Sequence, residues 1–471
     1  MRCTAAHLGR WICRSGAGFP STESSAGNRQ KPTSAGSAVS SAGFDHRVKS
    51  GAGFRGVGSG AGHSETGAGY SNPAPGIAKS GAGFAGFAAW LDMTPAHPDM
   101  FAMPDGDAVI QLPWKPEVAW VPGDLYMDGE KVAQAPRNVL QGVVAQAAAM
   151  GLEMKAGVEP EFHLINEDGS AISDQRDIQE KPCYDQSALM RRYDVIAEIC
   201  TSLGQLGWGP YQNDHEDANG QFEINWDFYD CLKTADQLCF FRFLVKSIAE
   251  KHGLRATFMP KPFSHLTGNG CHVHASLWSL DGATCLTHDP NGELGISELG
   301  YHFLGGVLAH AQGLAAITNP TVNSYKRINA PVTSSGATWA PNTVTFGGNN
   351  RTHMVRVPDE GRFEFRLADG AANPYLLMAG YLAAGLDGIA HKIDPGKRLD
   401  IDMYADGHKV RGAKKLPLYL IDAIRLFAKD KVLRSALGDE FCDAYIKLKT
   451  NDWDQYSQHL TQWERDTTLD C

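Results

Sequence analysis

Ionisable residues at every second position are what this chain offers to chemistry. In Gly157-Val-Glu-Pro-Glu-Phe-His-Leu164, Glu159, Glu161 and His163 fall on one side of an extended strand, and Pro160, Phe162 and Leu164 on the other. The pattern returns three times. Gln221, Glu223 and Asn225 oppose Phe222, Ile224 and Trp226; His272, His274 and Ser276 oppose Val273, Ala275 and Leu277; Arg362, Glu364 and Arg366 oppose Phe363, Phe365 and Leu367. A solvated sheet face also alternates, but it mixes Thr, Ser, Lys and Gln rather than holding Glu, His and Arg. If the four strands and the loop residue Glu216 line one cavity, five carboxylates meet there. Without compensation they raise one another's pKa values and neutralise. Divalent cations and arginines resolve that conflict. Oxygen donors with a single imidazole suit Mg²⁺ or Mn²⁺ better than a thiolate zinc site. Arg327, Arg351, Arg356, Arg362 and Arg366 supply planar forks for carboxylate and phosphoryl oxygens. The residues alone point to metal-dependent phosphoryl transfer onto a carboxylate-bearing substrate. No GxxxxGK[ST] loop is present, which excludes the P-loop solution.

The elements that must position these residues differ along the chain. Residues 1–79 are rich in Gly, Ser and Ala and repeat one short pattern, as in Ser15-Gly-Ala-Gly-Phe19 and Ser50-Gly-Ala-Gly-Phe54. That composition predicts a disordered leader, because it offers too little apolar surface to offset chain entropy. The leader is basic, with nine Lys/Arg against three acids. Its first twenty residues, with three Arg and no acid, faintly resemble an organellar transit peptide. From residue 80 the texture turns to strands punctuated by proline, including Ala108–Leu112 and Glu117–Val121, so residues 80–133 are expected to form a small β-rich piece. Helices are expected at Pro136–Met150, Asp185–Leu206 and Leu232–His252, covering the outside of the sheet.

A net charge of -10 argues against nucleic acid or an anionic membrane surface as the main partner. No apolar run approaches the roughly 20 residues that cross a bilayer. The ten cysteines are dispersed without a CxxC pair and read as reduced thiols of a cytoplasmic protein.

Five ordered motifs resemble the glutamine synthetase family. They are Gly157–Phe162, His215-Glu-Asp-Ala-Asn-Gly-Gln-Phe-Glu223, Gly268–Leu277, Asn323-Ser-Tyr-Lys-Arg327, and Arg362-Phe-Glu-Phe-Arg366 with Asn373-Pro-Tyr375. Gly83–Phe87 and Trp90–Met93 resemble the bacterial type III branch, whose relatives include glutamate-methylamine ligases. The resemblance implies an α+β fold, a curved antiparallel sheet or half-barrel flanked by helices over residues 134–471, preceded by a partial β-grasp domain at 80–133. It implies two metal ions: one held by Glu161, Glu216 and Glu223 beside glutamate, the other by Glu159, His272 and Glu364 beside the phosphates of ATP. His274 and Ser276 would contact the nucleotide, with Arg356. Arg327 would grip the α-carboxylate of glutamate, with Gly268 and Arg366 also at the glutamate. Arg351 and Arg356 would stabilise the transferred phosphoryl group.

By the same resemblance the reaction is ATP-dependent ligation of L-glutamate with ammonia through γ-glutamyl phosphate, in a homo-oligomeric ring such as a dodecamer, with active sites between subunits. Two departures bear on the amine. Family members that use ammonia carry an Asp where this chain has Gly81–Gly86, and a Glu where it has Ile328–Gly336; both stretches lack an acid. Methylamine is therefore the alternative amine. Because Gly-Ala-Gly repeats occupy the place of the first β-grasp strands, a non-catalytic structural descendant is a further alternative, opposed by retention of all six ligands. Phosphotransfer to a guanidino group, by a related catalytic fold, fits the motif order poorly.

Overall fold

The computed structural model describes residues 91, 93, 96–331, 333, 335 and 338–471. The leader, residues 1–79, and the loop Gly81–Gly86 lie outside the described residues.

The described residues open with five short strands: β1 (Phe101–Pro104), β2 (Ile110–Gln111), β3 (Ala119–Trp120), β4 (Gly123–Met127) and β5 (Glu130–Lys131). They form a three-stranded sheet in the order β1-β4-β5 and a separate β2-β3 pair. Helix α1 (Pro136–Ala149) follows, with proline in its first turn, where no amide partner is lost. Its Arg137 reaches three acids at once: Asp236 at 3.0 Å through both Nε and Nη2, Asp105 at 2.6 Å, and Asp124. Burial opposes this charge, but the carboxylates of Asp236, Asp105 and Asp124 raise the Arg137 pKa. The small strands are thereby tied to the helical layer.

A nine-stranded sheet carries the candidate chemistry. Its members are β6 (Leu152–Ile165), β7 (Gln212–His215), β8 (Gln221–Asn225), β9 (Tyr229–Asp230), β10 (Arg255–Thr257), β11 (Cys271–Ser279), β12 (Phe346–Gly347), β13 (Val355–Arg356) and β14 (Phe363–Phe365). The path is β12-β13-β14-β11-β6-β8-β7, with β9 and β10 also paired to β6. All pairings are antiparallel except β12 with β13. The long strand β6 is the branch point: residues 152–160 pair with β11 and residues 161–163 with β8.

Helices α2 (Gln186–Arg191), α3 (Tyr193–Gln205), α4 (Cys231–Lys251), α5 (Glu298–Thr318), α6 (Ser324–Ile328) and α7 (Pro374–His391) surround the sheet, followed by further helices between residues 403 and 468. The expected helix over 185–206 is broken at Arg192, whose φ of -119° leaves the helical region. The apolar alternates of the four strands form the core. Phe363 and Phe365 lie against Phe303 of α5, and Phe365 stacks on Tyr381 of α7 at 4.6 Å. At the α5–α7 crossing a Cβ on Gly306 would sit 2.1 Å from the Ala384 carbonyl oxygen, so only glycine lets the two backbones approach.

Among the described residues seven cysteines are free thiols, including buried Cys231, Cys271 and Cys442. Among the described residues no helix is long and apolar enough to cross a membrane.

Candidate active site

Strand register assembles the acidic face. Glu159 on β6 lies opposite His272 on β11, and Glu161 opposite Glu223 on β8. Glu364 on β14 is opposite His274 on one side and Arg356 on the other. Asp214 on β7 is opposite Glu223. Pleating turns these residues to one face while Val158, Phe162, Phe222 and Val273 enter the core.

Two groups of ligand atoms result, each within 4.8 Å: Glu159, His274 and Glu364, and Asp214, Glu216 and Glu223. These sets overlap the expected ones with two differences. In the first, His274 Nε2 lies 2.8 Å from Glu159 Oε1, whereas His272 Nδ1 stands 3.4 Å from Glu159 Oε2 and 3.7 Å from Glu364 Oε1. In the second, Asp214 joins Glu216 and Glu223. Glu161 instead accepts hydrogen bonds from the Gly270 amide at 2.7 Å and Gln221 Nε2 at 2.9 Å.

The loop that carries Glu216 is held by a buried carboxylate that sequence reading overlooked. Asp177 bonds His215 Nε2 at 2.7 Å, Asn219 Nδ2 at 2.8 Å and the Gly220 amide at 2.7 Å. The turn closes with the Glu216 amide donating to the Gln221 carbonyl at 2.9 Å. Gly220 has φ +71°, and a Cβ there would meet Ile172 at 3.0 Å.

The two groups differ electrostatically. Burial works against the Glu364 carboxylate, yet Arg366, His274 and Arg356 hold it down to about 2. Arg356 Nη1 pairs with it at 2.5 Å, and Arg366 pairs with its other oxygen. Glu159 is likewise held well below the usual range by His274 and His272 against burial. In the second group burial and mutual repulsion push Glu216 and Glu223 well above the usual range, and burial raises Asp214 to about 6. Burial also raises Glu161 to about 7, although Arg327 and the Gly270 amide oppose it. Among the described residues no Lys or Arg ion-pairs with Asp214, Glu216 or Glu223.

The remaining expected residues divide by position. Arg327, on α6, is buried and donates from Nη1 to the Leu367 carbonyl at 3.1 Å. A Cβ on Gly270 would lie 2.9 Å from Arg327 Nη2, 2.9 Å from Glu161 Oε1 and 3.0 Å from His272 Nε2, so these three groups converge on a space kept open by glycine. Gly268 is equally constrained, since a Cβ would strike the Pro260 carbonyl oxygen at 2.1 Å. Arg356 is fixed by Asn349 Oδ1, at 2.8 Å from Nε, as well as by Glu364. Arg351 is exposed and lies near enough to add repulsion to Arg356. Ser276 accepts from Trp278 Nε1 at 2.9 Å and sits two residues along β11 from His274.

The donor chemistry fits divalent cations. His272 Nε2 is buried without a hydrogen-bond partner, and the Asp214–Glu216–Glu223 group concentrates three carboxylates that burial neutralises unless a cation enters. Carboxylate-rich ligation with imidazole is the environment of hard cations that bridge phosphates.

Such a site, on a mixed sheet backed by helices, defines a metal-assisted ligase or phosphoryl-transfer enzyme. The glutamine synthetase catalytic-domain model matches residues 133–468. A glutamine synthetase of Rhizobium leguminosarum bv. phaseoli is 65% identical over 401 residues, covering 84% of this chain and 92% of that protein. A glutamate–methylamine ligase of Methyloversatilis universalis is 40% identical over 403 residues, covering 84% and 90%. A solved GmaS/ADP complex superimposes with a TM-score of 0.79 at 63% identity, covering 83% and 90% of the two chains. The chain belongs to the glutamine synthetase family, whose members are ATP-dependent ligases.

Proposed function

We propose that this chain joins the γ-carboxylate of L-glutamate to an amine in two steps, with methylamine as the amine its site favours. The carrying observation is the composition of the segment after α6: residues 329–345 contain no Asp or Glu. Where that segment meets the acidic loop, the hydroxyls of Ser335 and Thr267 donate to the Asp217 carboxylate, so the segment itself brings short polar side chains and no acid. The GmaS/ADP complex at 63% identity supports the same reading. Ammonia, giving glutamine, is the second reading, favoured by relatives named glutamine synthetase at 65% identity.

In the first step a γ-carboxylate oxygen attacks the γ-phosphorus of ATP, and the bond to ADP breaks. Arg327 and Gly268 orient glutamate, while Arg356 and Arg351 take up charge on the transferred phosphoryl group. Two divalent ions, Mg²⁺ or Mn²⁺, would be held by Glu161, Glu216 and Glu223 with Asp214, and by Glu159, His272, His274 and Glu364; when bound they neutralise the phosphates. In the second step the amine nitrogen attacks the acyl carbon of γ-glutamyl phosphate. An alkylammonium ion and the acyl phosphate yield the amide, hydrogen phosphate and one proton. Ser276 and Arg366 complete the nucleotide and glutamate ends. The small strands at 101–131 are assigned to the partial β-grasp domain, and a homo-oligomeric ring is the assembly proposed.

The test is ATP consumption with glutamate across ammonia, methylamine and longer amines. A kcat/KM for methylamine at least tenfold above that for ammonia is expected. A preference for ammonia selects the second reading, and no turnover with any amine removes both.

A further inference from the structure

A cavity of about 460 Å³ lies outside the acidic face, between α4, β10 and the turn at Gly370. Its wall includes Arg242, Lys246, Arg255, Glu250, Phe258 and Met259. Three cations against one acid is unusual in a chain of net charge -10. Among the described residues none of the three cations makes an ion pair. Arg242 donates from Nη1 to the Ala372 carbonyl at 2.9 Å, meets the Cys271 thiol, and lies over the Phe258 ring at 5.9 Å. Its Nε and Nη2 are shielded from solvent with no hydrogen-bond partner. The Cys271 thiol beside it is a weak acceptor, so the guanidinium charge under the cavity stays uncompensated. A desolvated guanidinium charge of this kind favours an anion nearby.

The excess of two positive charges matches a dianion. The volume falls in the range of small-molecule pockets, and Phe258 and Met259 add apolar wall. We propose that this cavity binds a small organic phosphate, its phosphoryl group facing Lys246 and Arg255 above Arg242 and its apolar part against Phe258 and Met259. The cavity wall is also wired to the glutamate end. Asn269 Nδ2 donates to the carbonyls of Thr257 and Met259, at 3.2 and 2.9 Å, and the Asn269 carbonyl accepts from the Gly370 amide at 3.3 Å. Asn269 stands between Gly268 and Gly270, and its Oδ1 accepts from Gln221 Nε2, which also donates to Glu161. An occupant that moves the wall moves Asn269, so the KM for glutamate changes while the cavity is filled.

Titration calorimetry of phenyl phosphate into the full chain, with Mg²⁺ and ADP present to occupy the nucleotide end, tests the binding independently of the reaction catalysed. One site per chain is expected, weakened at least tenfold in the Lys246→Ala/Arg255→Ala double variant and unchanged in Arg351→Ala. Both replaced side chains are exposed, and circular dichroism verifies that the double variant is folded. No binding, equal affinity in wild type and double variant, or loss in Arg351→Ala alone overturns the proposal. Inorganic phosphate is the second probe: if it binds as tightly as phenyl phosphate, the apolar part of the proposal is wrong. With turnover measurable, phenyl phosphate shifts the glutamate KM of the wild type and not of the double variant.

Discussion

The two acidic groups share one sheet face, yet they solve the problem of buried charge in opposite ways. Glu159 and Glu364 are surrounded by Arg356, Arg366 and two histidines, which keep them ionised before any metal arrives. Asp214, Glu216 and Glu223 have no Lys or Arg partner among the described residues, and burial drives them toward the neutral form. The first group is preorganised by the protein itself. The second depends on an incoming cation to become a set of carboxylates, which couples its metal binding to proton release.

The sharpest way to break this contrast is to remove one carboxylate from each group. Glu364→Gln leaves Arg356 and Arg366 buried without their partner and is expected to destabilise the fold by about 3–5 kcal/mol. Glu223→Gln, measured by urea unfolding with EDTA at pH 8, is expected to leave the metal-free protein at least as stable as wild type, because it removes repulsion. Similar losses in both variants would show that the groups do not differ. Both substitutions should lower kcat/KM by roughly 10²–10³-fold.

Metal removal gives the next effect. Asp214 and Glu161 are raised to about 6 and about 7, and Glu216 and Glu223 are raised well above the usual carboxylate range. A raised folded-state pKa favours the fold below the unfolded value and withdraws that stability as pH climbs through the folded value. The metal-free protein should therefore begin to lose stability above about pH 4 and go on losing it as pH climbs through about 6 and about 7, the raised values of Asp214 and Glu161. Thermal unfolding with and without EDTA should show a larger loss of Tm at pH 8 than at pH 5.5; equal losses would refute the coupling.

A smaller effect tests Asp214 itself. Asp214→Asn should weaken metal binding by about 10–100-fold while leaving the fold intact, the range of a supporting ligand. Calorimetric titration with Mn²⁺ measures it, and unchanged affinity would exclude Asp214 from the group. Smallest of all, Arg356→Lys keeps the charge but loses the fork that spans Asn349 and Glu364. The expected cost in kcat/KM is about tenfold, on the order of 1–2 kcal/mol, and a variant with wild-type kinetics would show that the fork is dispensable.

Much of this was legible in the sequence because alternation in a strand is a rigid rule. Glu159, Glu223, His272 and Glu364 came from period-two runs with apolar partners, and those partners form the core. Asp214 was missed although it alternates with Glu216. Gln212-Asn-Asp-His215 has no apolar alternates to announce a strand, and only pairing in register with Gln221–Asn225 makes it one. Asp177 was invisible for a different reason: its partner His215 is 38 residues away, and nothing local connects them. The division of labour between His272 and His274 depends on side-chain direction, which period alone does not supply.

Arg137 has a consequence for where this protein ends as a folding unit. The family match begins at residue 133, but three carboxylates meet that guanidinium, and two of them precede it: Asp105 just after β1 and Asp124 in β4. Cutting the chain at the match boundary would leave Asp236 as its only anionic partner and open a buried cation to water. The seam between the two parts is thus a line in the alignment, while cohesion runs across it through one side chain.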